Sequence, residues 1–275
     1  MGRIRIKGHP GHRVTGTIKQ ATVSEQAGRW FVAILTAEDV AEVTLRSPAT
    51  PDEIVGIDAG LRNSLTLSNG EVISGPRALA ASLRRLARYS RVMSRRQQGS
   101  GRRKTARARV AREHAKVANV RRNWQHGVSD DLTRRFAVIG HETLAVKNLS
   151  NKKNHNGRAW ADLGIAELFR QVGYKAAWRG VTVVKADRWY PSSKTCSSCG
   201  AKHQHLKRGD TVFLCSRCGF RLDRDLNAAR NLRPVAAIPV ETQNARGGNV
   251  RPRPAQPVLW QIPLKREPAS GCRAA

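Results

Sequence analysis

The chain has 275 residues, enough for one large domain or two modest ones; with 40% hydrophobic and 5% aromatic residues, its core must be mostly aliphatic. Its 50 lysines and arginines against 20 acids give a net charge of +30, so the natural partner is a polyanion, nucleic acid before an anionic membrane surface. No apolar run reaches spanning length, Met1–Arg13 lacks the apolar stretch of a signal peptide, and Ile6 stands where a myristoylation motif needs Ser or Thr. The expectation is a soluble cytoplasmic protein with no membrane partner, in which five cysteines mean metal rather than disulfides.

Residues 14–46 alternate as strands, Val14–Ile18 and then Trp30–Leu35 beyond a turn at Ala27-Gly28, with Pro48 and Pro51 as a linker. The apolar run Ile54–Ile57 reads as a strand closing on Asp58. A meander follows through Ser64–Ser68 and Glu71–Ser74, turning at Asn69-Gly70. From Pro76 the pattern is helical: Leu79, Leu83, Leu86 and Met93 share one face. Val110, His114, Val117, Trp124 and Val128 share another, beyond a break at Gln97–Gly101. Residues 76–126 hold 16 Lys/Arg and a single acid, Glu113. A solvated helical face is the ordinary reading of such a run, but salt bridges cannot balance this one. A hairpin that tracks phosphates is the better account, with Arg84, Arg85, Arg88, Arg95, Arg96, Arg102, Arg103 and Lys104 as its contacts.

Phe136–Val146 reads as a buried strand, Leu163–Arg179 as an amphipathic helix, Val181–Ala186 as a further strand, and a short helix starts near Arg224. Seven of the twelve prolines fall in residues 234–275, a composition expected to stay disordered. Cys196-Ser-Ser-Cys199 and Cys215-Ser-Arg-Cys218 form two C-x-x-C knuckles, each followed by a glycine that permits a tight turn. A redox pair would need only one such motif. Four thiolates fill a tetrahedral shell, which implies one structural zinc and leaves His203 and His205 as surface residues and Cys272 as a free thiol.

Three acids stand at the ends of apolar segments: Asp58, Glu142 in Val138–Leu144, and Asp225 at the last helix start. Each alone would be a helix cap or half of an ion pair. Together, three carboxylates from two strands and a helix suit two Mg²⁺ or Mn²⁺ ions and phosphodiester hydrolysis.

Gly56-Ile-Asp-Ala-Gly60, Glu142–Leu149, Asp187–Cys196 and Arg224–Leu232 occur in the order found in the TnpB (OrfB) family, and the chain resembles that family from about residue 12 to 233. The resemblance implies an insertion-sequence-associated, RNA-guided DNA endonuclease, with Asp58, Glu142 and Asp225 binding two catalytic Mg²⁺ or Mn²⁺ and the four cysteines holding zinc. The implied partners are DNA, a guide RNA from the mobile element and a transposase encoded nearby. The implied fold is α/β. An RNase H-like, RuvC-type domain would occupy residues 51–192 and 221–233, interrupted by the basic hairpin at 76–136 and a zinc ribbon at 193–220. Residues 1–50 would be the remnant of a β-barrel wedge, because the family's helical recognition region has no counterpart before them, and 234–275 a tail. The sequence departs from the family pattern around Glu142, where His141 precedes it and reads as a partly exposed strand residue. The alternatives are a shortened relic that binds RNA or DNA without cutting, and a zinc-ribbon transcription or translation factor, which leaves the three acids unexplained.

Overall fold

The computed structural model describes residues 14–39, 43–151, 153, 155–203, 206 and 209–237. Expectations that rest on Met1–Arg13, His205, Cys272 or the segment beyond Ala237 fall outside these. In chain order the elements are β1 (Thr17–Gln26), β2 (Arg29–Ala37), β3 (Ile54–Ala59), β4 (Leu65–Leu67), β5 (Val72–Ile73), α1 (Ala78–Ser94), α2 (Gly101–Arg135) and β6 (Val138–His141). They continue with α3 (Val146–Leu149), α4 (Gly157–Leu163), α5 (Ile165–Arg179), β7 (Thr182–Lys185), β8 (Val212–Leu214), β9 (Arg221–Asp223) and α6 (Arg224–Ala237).

The centre is a five-stranded sheet in the order β5-β4-β3-β6-β7. β3 pairs antiparallel with β4 and parallel with β6, and β6 runs parallel to β7. Side chains alternate across β3. Val55, Ile57 and Ala59 face a core shared with Leu132 of α2 and with Leu168 and Val172 of α5. Gly56 faces α6, where even a Cβ would stand 2.1 Å from the Ala229 carbonyl oxygen and 2.4 Å from the Arg233 nitrogen. Only glycine lets a helix backbone lie this close to a strand. Arg233 fastens the contact, donating from Nε to the Ile54 carbonyl at 3.1 Å.

The basic segment is a helical hairpin. α1 and the 35-residue α2 meet across the turn that the sequence places at Gln97–Gly101, and Ser100 caps α2 by accepting the Arg103 amide at 3.2 Å. The base of the hairpin is tied down by buried Asp162 of α4. Its carboxylate accepts the Leu79 and Ala80 amides at the start of α1, at 2.9 and 3.2 Å, and pairs with Arg121 of α2 at 2.8 Å. Lys175 of α5 is buried against α2 and donates to the His126 carbonyl at 2.7 Å and to Ser129 Oγ at 2.8 Å. Leu83, expected to pack, is instead exposed.

Three boundaries and one burial differ from the sequence reading. The strand expected over Phe136–Val146 is only Val138–His141, and the chain turns into α3 at Val146. The helix expected from Leu163 to Arg179 breaks at Gly164, whose φ of 64° closes α4 and opens α5. Residues 234–237, expected in the tail, extend α6 beyond Pro234. His141, expected to be partly exposed, is 3% exposed and stacks on Phe169 with ring centroids 3.9 Å apart. It shares the inward side with Ile57, its partner in register. β1 and β2 form a separate antiparallel ribbon around the turn at Ala27-Gly28, both with positive φ. Ile18, Val23, Trp30 and Leu35 of that ribbon are exposed. Among the described residues no helix is long and apolar enough to cross a membrane.

Candidate catalytic and metal centres

The register that pairs Ile57 with His141 sets the next residues, Asp58 and Glu142, side by side at the carboxyl ends of two parallel strands. In an open α/β sheet this end is where ligands bind. Burial pushes the Asp58 carboxyl well above the usual range, and the charges of Glu142 and then Asp225 push it further. Burial likewise raises Glu142 to about 7, although the Ala59 amide donates to its carboxylate and pulls the other way. Three acids far apart along the chain thus act on one another electrostatically, the Glu142 and Asp225 charges both raising Asp58.

Asp225 reaches that site because a neighbour does the capping. Asp223 Oδ1 accepts the Asp225 amide at 2.9 Å and the Leu226 amide at 3.2 Å, so Asp223 is the N-cap of α6 and Asp225 is freed from that role. The Asp225 side chain is 9% exposed and pairs with Arg62 at 3.1 Å and Arg224 at 3.3 Å. Arg62 also bridges to Asp223 at 2.5 Å. These guanidiniums partly neutralise a cluster whose like charges would otherwise repel.

The four cysteine sulfurs converge as the spacing requires. Sγ of Cys196 lies 3.8 Å from that of Cys218, and Cys199 lies 3.6 Å from Cys215. A tetrahedron with metal–sulfur bonds of about 2.3 Å has edges of about 3.8 Å. Among the described residues, these four are the group of three or more Cys, His, Asp or Glu side chains whose ligand atoms all lie within 4.8 Å of one another. Both knuckles use the same backbone pattern. Cys196 N–H donates to the Ala201 carbonyl and Gly200 N–H to the Cys196 carbonyl, and Cys215, Phe220 and Gly219 repeat it, every bond 2.9 Å. Gly200 and Gly219 supply the positive φ values, 73° and 72°. His203, expected at the surface, is half-buried against the cluster, with Nε2 3.2 Å from Cys215 Sγ and its ring edge-on to Phe213.

The cysteine module and the acidic site are mechanically joined. Asn227 Oδ1 accepts the Ser197 amide at 2.9 Å, and Asn227 Nδ2 donates to the Thr195 carbonyl at 2.7 Å. One turn on, Asn231 Nδ2 donates to the carbonyls of Ser192 and Thr195 at 2.7 and 2.6 Å. Both asparagines are buried, and the helix they belong to carries Asp225.

Arg84, Arg88, Arg95, Arg96, Arg102 and Lys104 are exposed along the hairpin. The other two of the eight expected contacts, Arg85 (also exposed) and Arg103, have partners within the hairpin. Arg85 Nε lies 2.9 Å from Glu113, and Arg103 donates to the Met93 and Arg96 carbonyls at 3.3 and 2.9 Å, closing the end of α1.

A model of OrfB from IS605, described as a probable transposase, matches residues 33–153. A second, for the Cas12f1-like TNB domain, matches residues 166–232, which include the cysteine module and Asp225. A Streptomyces pristinaespiralis relative named "Putative RNA-guided DNA endonuclease" is 38% identical over 248 residues, 90% of this chain and 59% of that protein. The chain belongs to the TnpB (OrfB) family. An Escherichia coli K12 protein of the same name, InsQ, is 31% identical over 80% of this chain and 57% of its own length. This TnpB-family chain therefore spans under two thirds of both relatives. A cryo-EM structure of a Cas12f1–sgRNA–target DNA complex aligns over 77% of this chain and 55% of that one, at 17% identity and a TM-score of 0.46.

Sequence reasoning assigned no structural role to Arg62, Asp223, Gly56 or the paired asparagines. Asp223 was detectable as an N-cap residue directly before a helix, and Asn227 and Asn231 as an i, i+4 pair. Arg62 sits in a loop and carries no local signal.

Proposed function

We propose that this chain is the nuclease and zinc-ribbon portion of an RNA-guided DNA endonuclease, with an RNase H-like domain of the RuvC type. The observation that carries the reading is the raised Asp58 carboxyl, which shares its site with Glu142 and Asp225 at the carboxyl end of the sheet. The strand order, with two antiparallel pairings (β5–β4 and β4–β3) beside parallel β3, β6 and β7, supports the fold assignment.

Oxygen donors with excess negative charge fit Mg²⁺ or Mn²⁺, and four thiolates at tetrahedral spacing fit Zn²⁺. When bound, the divalent ions would activate water and stabilise the leaving oxygen of a phosphodiester. The chain's own residues prepare that site. Burial raises the Asp58 and Glu142 carboxyls above their ordinary range, and a bound divalent cation would favour their ionised forms. The Ala59 amide orients Glu142, while Arg62 and Arg224 hold Asp225 in place. The zinc ribbon at 193–220 fixes α6 through Asn227 and Asn231, and so fixes Asp225. The hairpin's exposed arginines grip nucleic-acid backbone, and guide RNA supplies sequence choice by base pairing. The β1–β2 ribbon, apolar and exposed, belongs to a larger β unit, since a two-stranded hairpin alone is marginal in water.

The test is cleavage of a guide-matched duplex by the protein expressed with RNA transcribed from its flanking DNA, in Mg²⁺, beside Asp58→Ala. Cleavage by the parent alone supports the reading. Binding without cleavage by either protein would replace it with a binding role.

A further inference from the structure

Trp189 is the most exposed large apolar side chain among the described residues, at 81%, and yet the turn that carries it is tightly held. Asp187 Oδ1 accepts the Trp189 amide at 2.7 Å, and the Asp187 carbonyl accepts the Tyr190 amide at 3.0 Å, forming an Asx turn directly after β7. On one side Ala186 is strapped to the Glu142 loop: its amide donates to the His141 carbonyl at 2.8 Å, and its carbonyl accepts Thr143 Oγ1 at 2.7 Å. On the other side the Tyr190 hydroxyl donates to the Asn231 carbonyl of α6 at 3.2 Å. The turn therefore braces two of the elements that supply the acidic site, and its indole takes no part in the bracing. The Arg188 guanidinium lies over that indole, 5.4 Å from the ring centroid, and Lys185 and Lys194 are exposed on either side in sequence.

A free aromatic face backed by a cation, on rigid backbone in a chain of net charge +30, is the chemistry that receives an unpaired base. The base stacks on the ring while nearby cations meet its phosphate. A tryptophan selected for packing would be buried, and the exposed lysines that flank this one are a residue type that protein interfaces deplete. We propose that Trp189, with Arg188 stacked on it, is a base-stacking platform for single-stranded nucleic acid beside the acidic site. Its use in presenting a strand to Asp58, Glu142 and Asp225 rests on the nuclease reading; the stacking itself does not.

The experiment measures fluorescence anisotropy of a labelled oligo(dT) strand and of an abasic strand of equal length, titrated with the full zinc-loaded chain in buffer without Mg²⁺ or Mn²⁺. Trp189→Ala is expected to weaken oligo(dT) binding about ten-fold and to leave abasic binding and the salt slope unchanged, because no charge is lost. Trp189→Phe recovers most of the affinity. Trp178→Ala, at the opposite end of β7 and 70% exposed in the parent, leaves both strands bound as before. Thermal midpoints of all variants match the parent, which separates stacking from damage to the turn. Equal losses on the two strands, or an equal loss in Trp178→Ala, overturn the proposal. Base-dependent loss with no cleavage in Mg²⁺ would retain the platform and sink the nuclease reading instead.

Discussion

Glu142→Gln in buffer free of Mg²⁺ and Mn²⁺, with the zinc retained, isolates what the acidic site costs the fold. Burial raises the Glu142 carboxyl from 4.5 to about 7. A folded-state pKa above the unfolded value means the native chain binds more protons, so stability falls as pH rises from about 4.5 and levels off beyond about 7. At pH 8 the native state must hold an ionised Glu142 at a cost of about 3 kcal/mol, whereas at pH 5 the cost is below about 1 kcal/mol. Glutamine keeps the shape, still accepts the Ala59 amide and carries no charge. It also relieves Asp58, which the Glu142 charge pushes further upward. The variant should therefore unfold about 6–10 °C above the parent at pH 8 and within about 3 °C of it at pH 5. Calorimetry or circular dichroism without added Mg²⁺ or Mn²⁺ measures the difference. A gap that does not change with pH, or a variant less stable than the parent at pH 8, would refute the argument that burial sets this carboxyl. Adding Mg²⁺ should narrow the gap at pH 8, because the ion stabilises the ionised carboxylates that glutamine lacks.

Gly56→Ala should lose about 3 kcal/mol or more of stability in urea melts, because the new Cβ meets α6 backbone at 2.1 and 2.4 Å and no side chain can yield. The same shift moves Asp225, so residual cleavage should fall even at temperatures where the variant stays folded. Titrating the thiols should release one zinc per chain, read with a chromogenic chelator. Amide exchange should then rise at residues 195–201 and 213–220 and also at the start of α6, which the asparagine clamps tie to the first knuckle. Arg103→Ala should lower the thermal midpoint because it uncovers carbonyls at the end of α1. Arg102→Ala should leave the midpoint alone and reduce the salt slope of duplex binding by about 0.9.

How much of this was readable in advance depended on whether a signal was local. The two knuckles were legible because a thiolate shell has a fixed size and each C-x-x-C turn is built from consecutive residues, glycine included. The hairpin was legible because helical periodicity and charge both persist over tens of residues. The acids were visible as anomalies, polar ends on apolar runs, but local pattern could not bring them together, and their convergence was expected mainly from the family resemblance. It depends on the 57-to-141 strand register and on where α6 crosses β3, both set by contacts between segments far apart in sequence. For the same reason Leu83 and His141 were misplaced, since periodicity gives the face of an element and not what covers it. The α4–α5 break shows the opposite failure, a local signal overlooked: Gly164 lay inside an apolar pattern that continued across it. Asp225 combines both kinds of signal. At the start of a helix its local chemistry points to capping, and the site becomes possible only because Asp223, two residues earlier, takes that role. An Asp223→Ala chain would leave the cap to Asp225 and draw its carboxylate toward the α6 amides, which couples the capping of one helix to the electrostatics of the whole site.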